Sequence, residues 1–189
     1  MTMYKRSLFP AFRERHSLVQ ADYLRWKAQL LKSLIPYVRE HDAKIVGKTY
    51  PGLFLSTRQA PVLAEFMGFY GAGKKTIPEF ALAEVDALAL AILIQDDGYL
   101  RPPRDRLIHP YMEINSQSFS QKDNGRLCHR LCEVLCVENI STIRAANGTG
   151  YKLMLGVRAT RAMAELCAPH WQPCMDYKFP YPELLKDYR

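Results

Sequence analysis

The sequence repeats itself at a constant offset of 100 residues. Residues 53–58 and 62–66 match residues 153–158 and 162–166. Five positions are identical to their counterparts across the offset: Leu53, Leu55, Arg58, Ala64 and Glu65. A duplicated unit constrains the fold more than local propensity does, because both copies must bury the same apolar pattern in the same topology.

Hydrophobic periodicity assigns the same order of elements to each copy. In the first copy it predicts a strand near residues 12–16, a helix near 20–34, strands near 44–46 and 53–57, and a helix near 61–70. In the second copy it predicts a strand near 111–117, a helix near 120–137, hairpin strands near 141–145 and 151–155, and a helix near 158–168. Asn147-Gly148 suits the turn of that hairpin. The chain is therefore predicted to be an α+β pseudo-dimer.

An apolar, alanine-rich segment, residues 84–98, lies between the two copies and ends in two carboxylates and a glycine. Ala87 and Ala91 lie one helical turn apart, so they leave a flat surface that a second helix can approach closely. Gly98 is predicted to end the helix in the left-handed conformation. Asp96 and Asp97 are therefore expected at the tip of a helix pair.

This segment resembles the nine-residue LAGLIDADG motif of homing endonucleases. Six of the nine positions agree: Leu90, Ala91, Leu93, Ile94, Asp97 and Gly98. Three more runs resemble the branch of the family whose second motif ends in Asp-Asp-Gly: Gly-Lys-Lys-x-Ile-Pro at 73–78, Asn-Ser-x-Ser-Phe-Ser at 115–120, and Pro-x-Met-x-Tyr-Lys at 173–178. The resemblance extends from about residue 12 to residue 179.

The resemblance implies two pseudo-symmetric αββαββα halves, packed through their motif helices and forming a saddle of antiparallel strands over double-stranded DNA. We expect half-domains at residues 1–80 and 81–189. It also implies site-specific cleavage of DNA with Mg²⁺, because phosphodiester hydrolysis uses a divalent metal and hard cations bind carboxylate oxygen.

The resemblance also implies roles for individual residues. Asp97 is expected to be the catalytic metal ligand, because it aligns with the last acidic residue of the motif. A bound cation would also offset the unfavourable position of a carboxylate at a helix C-terminus. Lys75 and Lys178 are expected to stabilise phosphate charge, and Gln117 to position water or metal. DNA contacts are expected from strand and loop residues of both copies: Arg13, Arg15, Lys44, Lys48, Arg101, Arg104, Arg106, Tyr111, Glu113, Asn115, Arg144, Asn147 and Lys152. Solvation is the alternative for each, since alternation sends half of a strand to the other face.

Composition agrees with a nucleic-acid partner. The chain has 26 Lys and Arg against 19 Asp and Glu, a net charge of +7, which suits a polyanion. Apolar runs fall short of the ~20 residues of a membrane span, so we expect a soluble, intracellular protein of the cytoplasm or an organelle matrix. Cys128, Cys132 and Cys136 share one helix face, which cannot surround a tetrahedral metal; we expect them to be small apolar core residues.

The first copy departs from the family pattern. At the offset of 100, its motif helix would precede Met1, so we expect an N-terminal half that lacks this helix and its acid. Cleavage would then be impaired or need a second chain that carries the helix. A non-cleaving, RNA-binding maturase that assists intron splicing is the alternative function, and a DNA-binding regulator is a third.

Overall fold

The computed structural model describes residues 8–73, 75–101, 110–146 and 148–178. The chain divides into two compact units, Met1–Met67 and Gly68–Arg189, whereas the sequence placed the boundary after residue 80. None of the helices in the described residues is long and apolar enough to cross a membrane.

The first unit is a three-stranded antiparallel sheet covered by one helix. Its elements are β1 (Arg13–Ser17), α1 (Ala21–Leu30), β2 (Tyr37–Glu40), β3 (Ala43–Ile45), β4 (Lys48–Tyr50) and β5 (Gly52–Ser56). The sheet order is β1-β5-β2, and β3 pairs with β4 in a separate two-stranded hairpin. Leu24 of α1 packs on Leu53 and Leu55 of β5 to form the core.

The second unit is a four-stranded antiparallel sheet packed against helices. Its elements are α2 (Glu79–Ala83), α3 (Ala87–Asp97), β6 (Gly98–Arg101), β7 (Tyr111–Ile114), α4 (Gln121–Leu135), β8 (Ile140–Arg144), β9 (Tyr151–Leu155) and α5 (Val157–Cys167). The sheet order is β6-β7-β9-β8. From α3 to α5 the order is αββαββα, as the resemblance implied. Leucine, isoleucine and methionine side chains from α3, α4, α5 and one face of the sheet form a single core.

The two units repeat one topology, which confirms the duplication in the sequence. Strands β1-β5-β2 correspond in order to β7-β9-β8. The register differs by two residues, because Glu14 lies opposite Leu55 in the first unit and Met112 lies opposite Leu155 in the second. A shift by two preserves the face of every side chain, so both units keep the same inward and outward pattern.

The predicted helices of the first unit were too regular. The helix expected over 20–34 ends at Leu30, and a 3₁₀ turn follows to Leu34. Strand β2 was missed, because it is short, mostly polar and follows directly after Pro36. The helix expected over 61–70 is a 3₁₀ helix, Pro61–Gly73. Three glycines in that segment disfavour a regular α-helix, whereas α5, its counterpart, contains neither glycine nor proline.

Gly98 does not adopt the left-handed conformation that we predicted. Its backbone is extended, with φ −78° and ψ 152°, so the chain runs from α3 directly into β6. A Cβ at this position would lie 2.6 Å from the carbonyl oxygen of Ile94. Glycine is therefore required here for a close approach of the backbone to the last turn of α3.

A largely buried ionic cluster joins β1 to α1 in the first unit. Glu14 accepts from Lys27 Nζ at 2.6 Å and contacts His16 Nε2 at 2.8 Å, while His16 Nδ1 lies 2.8 Å from Gln20 Oε1. Burial opposes the charge of Glu14, but hydrogen bonds and the nearby cations outweigh burial and hold the pKa of Glu14 below its ordinary value. Burial likewise opposes the charge of His16, yet its contacts with Glu14 and Gln20 raise the pKa of His16.

The cysteines are all free thiols. Cys128 and Cys132 pack against the core of the second unit, as expected. Cys136 is exposed at the C-terminus of α4, with φ 52°, so the expectation of a core residue was wrong there. Burial raises the pKa of the Cys167 thiol to about 12, which leaves it unreactive as a nucleophile at neutral pH.

The β3–β4 hairpin gives a testable prediction, because a β-branched residue occupies its turn. Val46 has φ 47°, Gly47 has φ 75°, and the Val46 side chain is 97% exposed. Asparagine adopts this conformation more readily than valine. We expect Val46→Asn to raise the free energy of unfolding by about 1 kcal/mol, measured by thermal denaturation. Val19→Asn, at an exposed position with ordinary φ, is the control, and a lower Tm for Val46→Asn would contradict the prediction.

Candidate active site and nucleic-acid interface

Side-chain hydrogen bonds hold both ends of the motif helix α3, and its C-terminal end is called the tip below. Asp86 caps its first turn by accepting from Ala89 N at 2.8 Å. Gln95 is fully buried, donates to Ala91 O at 3.0 Å and accepts from Gln172 N at 2.8 Å. This side chain ties the tip of α3 to the C-terminal segment. Gln95 was not among the residues predicted from the sequence, although a lone amide within an apolar helix was a signal for it.

Three of the four predicted catalytic residues lie around this tip. Asp97 is exposed, and its carbonyl accepts from the backbone N–H of Asn115 at 2.8 Å. Lys178 Nζ donates to the carbonyl oxygen of Asp96. Gln117 Nε2 donates to Asn115 Oδ1 at 3.4 Å. The structure therefore brings Asp97, Lys178, Asn115 and Gln117 together at the C-terminal end of α3.

Lys75, the remaining predicted catalytic residue, lies beside the loop that carries Gln117. Its backbone forms a parallel β-bridge with Phe119, and its side chain is exposed. Phe119 lies two residues after Gln117, so this bridge connects Lys75 to the loop that contains Gln117.

The open face of the second sheet carries a buried ion pair that we had not predicted. Glu113 accepts from Lys152 Nζ and from Arg101 Nη2, the latter at 3.2 Å, and Arg101 stacks over the Tyr99 ring at 5.1 Å. Burial opposes the charge of Glu113, but these hydrogen bonds outweigh burial and keep its pKa below the ordinary value. The Glu113 carboxylate is therefore engaged by two cations and holds both of their side chains on this face.

The open face of the first sheet is an arginine and aromatic surface. Arg15 and Arg39 stack over the Phe54 ring at 5.4 and 5.2 Å, and Tyr37 packs edge-on against the same ring. Arg13 shares this face by register. Arg39 and Tyr37 were not predicted to lie on this face, because the strand that carries them, β2, was not predicted.

The LAGLIDADG DNA endonuclease family matches residues 3–154. The chain belongs to this family. Two curated relatives are named Protein RecA: the protein of Mycolicibacterium fallax is 30% identical over 175 residues, and that of Mycolicibacterium flavescens is 31% identical over 176 residues. Each match covers 88% of this chain but only 39% and 40% of the relative. The chain therefore spans about two fifths of the length of these relatives.

A solved structure has the same fold as this family member. "The homing endonuclease I-WcaI bound to its DNA recognition sequence" aligns with a TM-score of 0.78 over 96% of this chain and 80% of that chain. The sequence identity is 16%, so the likeness concerns the fold. It supports the α+β architecture with antiparallel sheets that the motif implied.

The remaining predicted DNA contacts fall into three groups. Tyr111 shares the open face with Arg101 and Glu113 by register. Arg144 alternates onto the same face of β8 as Ile140, which is in the core. Arg144 therefore does not belong to the open face. In the first unit, the register of β2 and β5 continues into the β3–β4 hairpin. By this register Lys48 lies on the same face as Phe54, and Lys44 lies on the opposite face. Three predicted contacts lie outside the described residues: Arg104, Arg106 and Asn147.

The residues at the tip of α3 fit a hard divalent cation. Members of this family are generally metal-dependent. Asp97 offers a carboxylate, and Asn115 and Gln117 offer amide oxygens, which are the ligand types that Mg²⁺ prefers. The C-terminal end of α3 also carries the negative end of the helix dipole, so it attracts a cation.

Proposed function

We propose that this member of the LAGLIDADG family is a site-specific, Mg²⁺-dependent endonuclease of the homing type that acts on duplex DNA. The observation that carries the proposal is the grouping of Asp97, Lys178, Asn115 and Gln117 at the tip of the motif helix. This grouping combines an exposed carboxylate, two amides and a cation, which are the groups that hydrolysis of a phosphodiester uses.

Each group at the tip has a proposed role. Asp97, with help from the amide oxygens of Asn115 and Gln117, would hold Mg²⁺, and a bound Mg²⁺ supplies Lewis-acid stabilisation of phosphate charge. Lys178 would place its ammonium group beside the scissile phosphate, because its hydrogen bond to Asp96 O holds it at the tip. Lys75 would do the same from the Phe119 side of the loop.

The open sheet faces are the proposed DNA-binding surfaces. Arg15 and Arg39 on the first sheet, and Arg101 and Lys152 on the second, are long cations held by an aromatic ring or a carboxylate. Held side chains lose less conformational entropy when they bind phosphate or a base edge. Guanidinium groups also read guanine and phosphate through paired hydrogen bonds.

A second motif helix completes the proposed site. In the part of the chain that the structure describes, α3 is the one helix that carries the motif. The two-carboxylate centre that the resemblance implies therefore needs an acid from another segment or another chain. We propose a partner helix of LAGLIDADG type that would pack against α3. Ala91 is fully buried in the core of the second unit, so the flat surface predicted from Ala87 and Ala91 is not the one that would receive it.

The test is a cleavage assay on a plasmid that carries the host gene without the insertion. The relatives are named RecA and are much longer than this chain, so we infer that the match is an endonuclease segment inserted in a host protein. A recA allele without an insertion is therefore the first target to try. Mg²⁺-dependent linearisation at one site supports the proposal. Tight binding of intron RNA, with no cleavage of any DNA in the presence of the partner helix, would favour the maturase instead.

The basic faces predict DNA binding that weakens steeply with salt. Each phosphate contact adds about 0.9 to the slope of log Kd against log salt. We expect Arg39→Ala to lower this slope by about 1, measured by fluorescence anisotropy with a duplex. Arg25→Ala is the matched control, because Arg25 lies on α1, where it is exposed and paired with Asp22 at 3.0 Å. Binding that does not depend on salt, or an equal effect of both substitutions, would contradict the prediction.

A further inference from the structure

The loop between β7 and α4, residues 115–120, connects the parts of the proposed catalytic tip. We call it the 115–120 loop. At its start, the backbone N–H of Asn115 binds the carbonyl of Asp97 at 2.8 Å. At its end, Phe119 bridges to Lys75, and Gln117 lies between them. The position of this loop therefore sets the positions of three proposed active-site groups relative to Asp97.

Asn124 holds the 115–120 loop from below. Its side chain is fully buried, and its amide group donates to the carbonyl oxygens of Ser116, Phe119 and Ser120 at 3.2, 3.3 and 3.0 Å. The hydroxyl of Ser116 donates back to Asn124 Oδ1. One side chain thus binds three residues of the loop, and each of its polar atoms has a partner.

The other copy of the repeat shows that packing does not require an amide here. At the offset of 100, Leu24 of α1 is the counterpart of Asn124: each lies four residues after the N-cap residue of its helix. Leu24 is also fully buried. Burying an amide costs free energy unless it is hydrogen-bonded, so leucine would satisfy the core at lower cost. The asparagine is explained by the loop that it holds, and the first unit has a different connection at this place, a 3₁₀ turn from Leu18 to Gln20.

Gly150 limits the loop from the other side. It has φ 97°, and a Cβ at this position would lie 2.6 Å from the carbonyl oxygen of Gln117. Any side chain at residue 150 would therefore push the loop at Gln117. Asn124 and Gly150 thus contact the same short segment from two different elements, α4 and the hairpin that ends in β9.

We propose that Asn124 and Gly150 are positioning residues that hold the 115–120 loop against the tip of α3, so that the amides of Asn115 and Gln117 and the Asp97 carboxylate bind one divalent cation together. The inference rests on the proposed function of this tip. Neither residue touches the cation or the DNA. Both act through the loop, in the way that outer groups orient metal ligands.

The test compares substitutions on both sides of the loop. Asn124→Leu keeps the apolar packing that Leu24 has and removes every hydrogen bond to the loop, while Gly150→Ala pushes the loop at Gln117. In the presence of the partner helix, we expect each to raise the Mg²⁺ concentration for half-maximal cleavage by about 10- to 100-fold. DNA affinity, measured in EDTA, should stay the same, because the open sheet faces are unaltered.

Leu131→Ala is the matched control for lost stability. Leu131 lies on the same helix, is fully buried in the core and has no hydrogen bond to the loop. It should lower the Tm without changing the Mg²⁺ requirement. Hydrogen exchange gives a second signature: the amides of Asn115 and Phe119, which bind Asp97 O and Ser116 O, should lose protection in the loop variants and keep it in Leu131→Ala.

A readout without cleavage separates this inference from the proposed function. Titration of Mg²⁺ into the chain, followed by NMR of the side-chain amides of Asn115 and Gln117, should shift these signals in the parent and require more Mg²⁺ in both loop variants. An unchanged Mg²⁺ requirement in Asn124→Leu and Gly150→Ala would overturn the positioning role and leave the proposed function intact. A parent that responds to Mg²⁺ in neither NMR nor cleavage would overturn both.

Discussion

Asp97→Asn is expected to reduce double-strand cleavage by about 10³-fold, because the metal contributes several kcal/mol of charge stabilisation and each 1.36 kcal/mol is tenfold in rate. The substitution keeps the size of the side chain and removes its charge. The backbone carbonyl of Asp97 still accepts from Asn115, so the tip should keep its shape. The measurement is plasmid linearisation in the presence of a fragment that carries a LAGLIDADG-type helix, beside a gel-shift assay at the same salt concentration.

Asp96→Asn is the matched control for this prediction. Asp96 is the neighbouring carboxylate, and its carbonyl, which the substitution leaves unchanged, is the group that binds Lys178. Cleavage should therefore fall much less than in Asp97→Asn, and DNA affinity should be equal in both. Efficient cleavage by Asp97→Asn, or efficient cutting of both strands by residues 1–189 as a monomer, would show that the site is assigned wrongly.

Lys27→Met is expected to lower the free energy of unfolding by about 3 kcal/mol, because it leaves the Glu14 carboxylate in the protein interior without its closest cation. Lys27 Nζ lies 2.6 Å from Glu14, and the two side chains are 6% and 19% exposed. The double variant Glu14→Leu, Lys27→Met should recover most of this loss, since replacing both charges by apolar groups removes the desolvation cost as well. Urea denaturation measures both.

An exposed ion pair provides the control for the buried one. Arg25→Met breaks the ion pair between Arg25 and Asp22, whose side chains are 59% and 80% exposed, respectively. The substitution should lower the free energy of unfolding by less than about 0.5 kcal/mol. A Lys27→Met variant as stable as Arg25→Met would show that the cluster of Glu14 and Lys27 contributes little to the fold.

The same cluster predicts a pH dependence for the first unit. The pKa of Glu14 is lowered from 4.5. Its contribution to the free energy of unfolding is therefore present above pH 4.5 and is lost as the pH falls through the pKa of the folded state. The pKa of His16 is raised from 6.5. Its contribution to the free energy of unfolding is therefore present below pH 6.5 and is lost as the pH rises through the pKa of the folded state. The cluster should therefore stabilise the unit most between these two values, and Glu14→Gln should flatten the profile.

The sequence alone determined the internal duplication and the family. The offset of 100 relates β5 to β9 and α1 to α4, because a duplicated apolar pattern can be buried only by a duplicated arrangement of strands and helices. The motif at Leu90 to Gly98 identified the family, which the match over residues 3–154 confirms. It also located the candidate tip, since a short motif on a helix places its last acid at the end of that helix.

Only the tertiary structure decided which polar groups meet. Glu113, Lys152 and Arg101 were each predicted as separate DNA contacts, and the structure pairs Glu113 with both cations. Arg39 and Asn124 carried no local signal, because their importance comes from Phe54 on another strand and from a loop that folds back over α4. Gly98 ends α3 as predicted, but its backbone is extended rather than left-handed, and Ile94 leaves no room for a Cβ there. Periodicity records which face of an element is buried, whereas pairing of charges and close backbone approach depend on where separate elements are brought together in space.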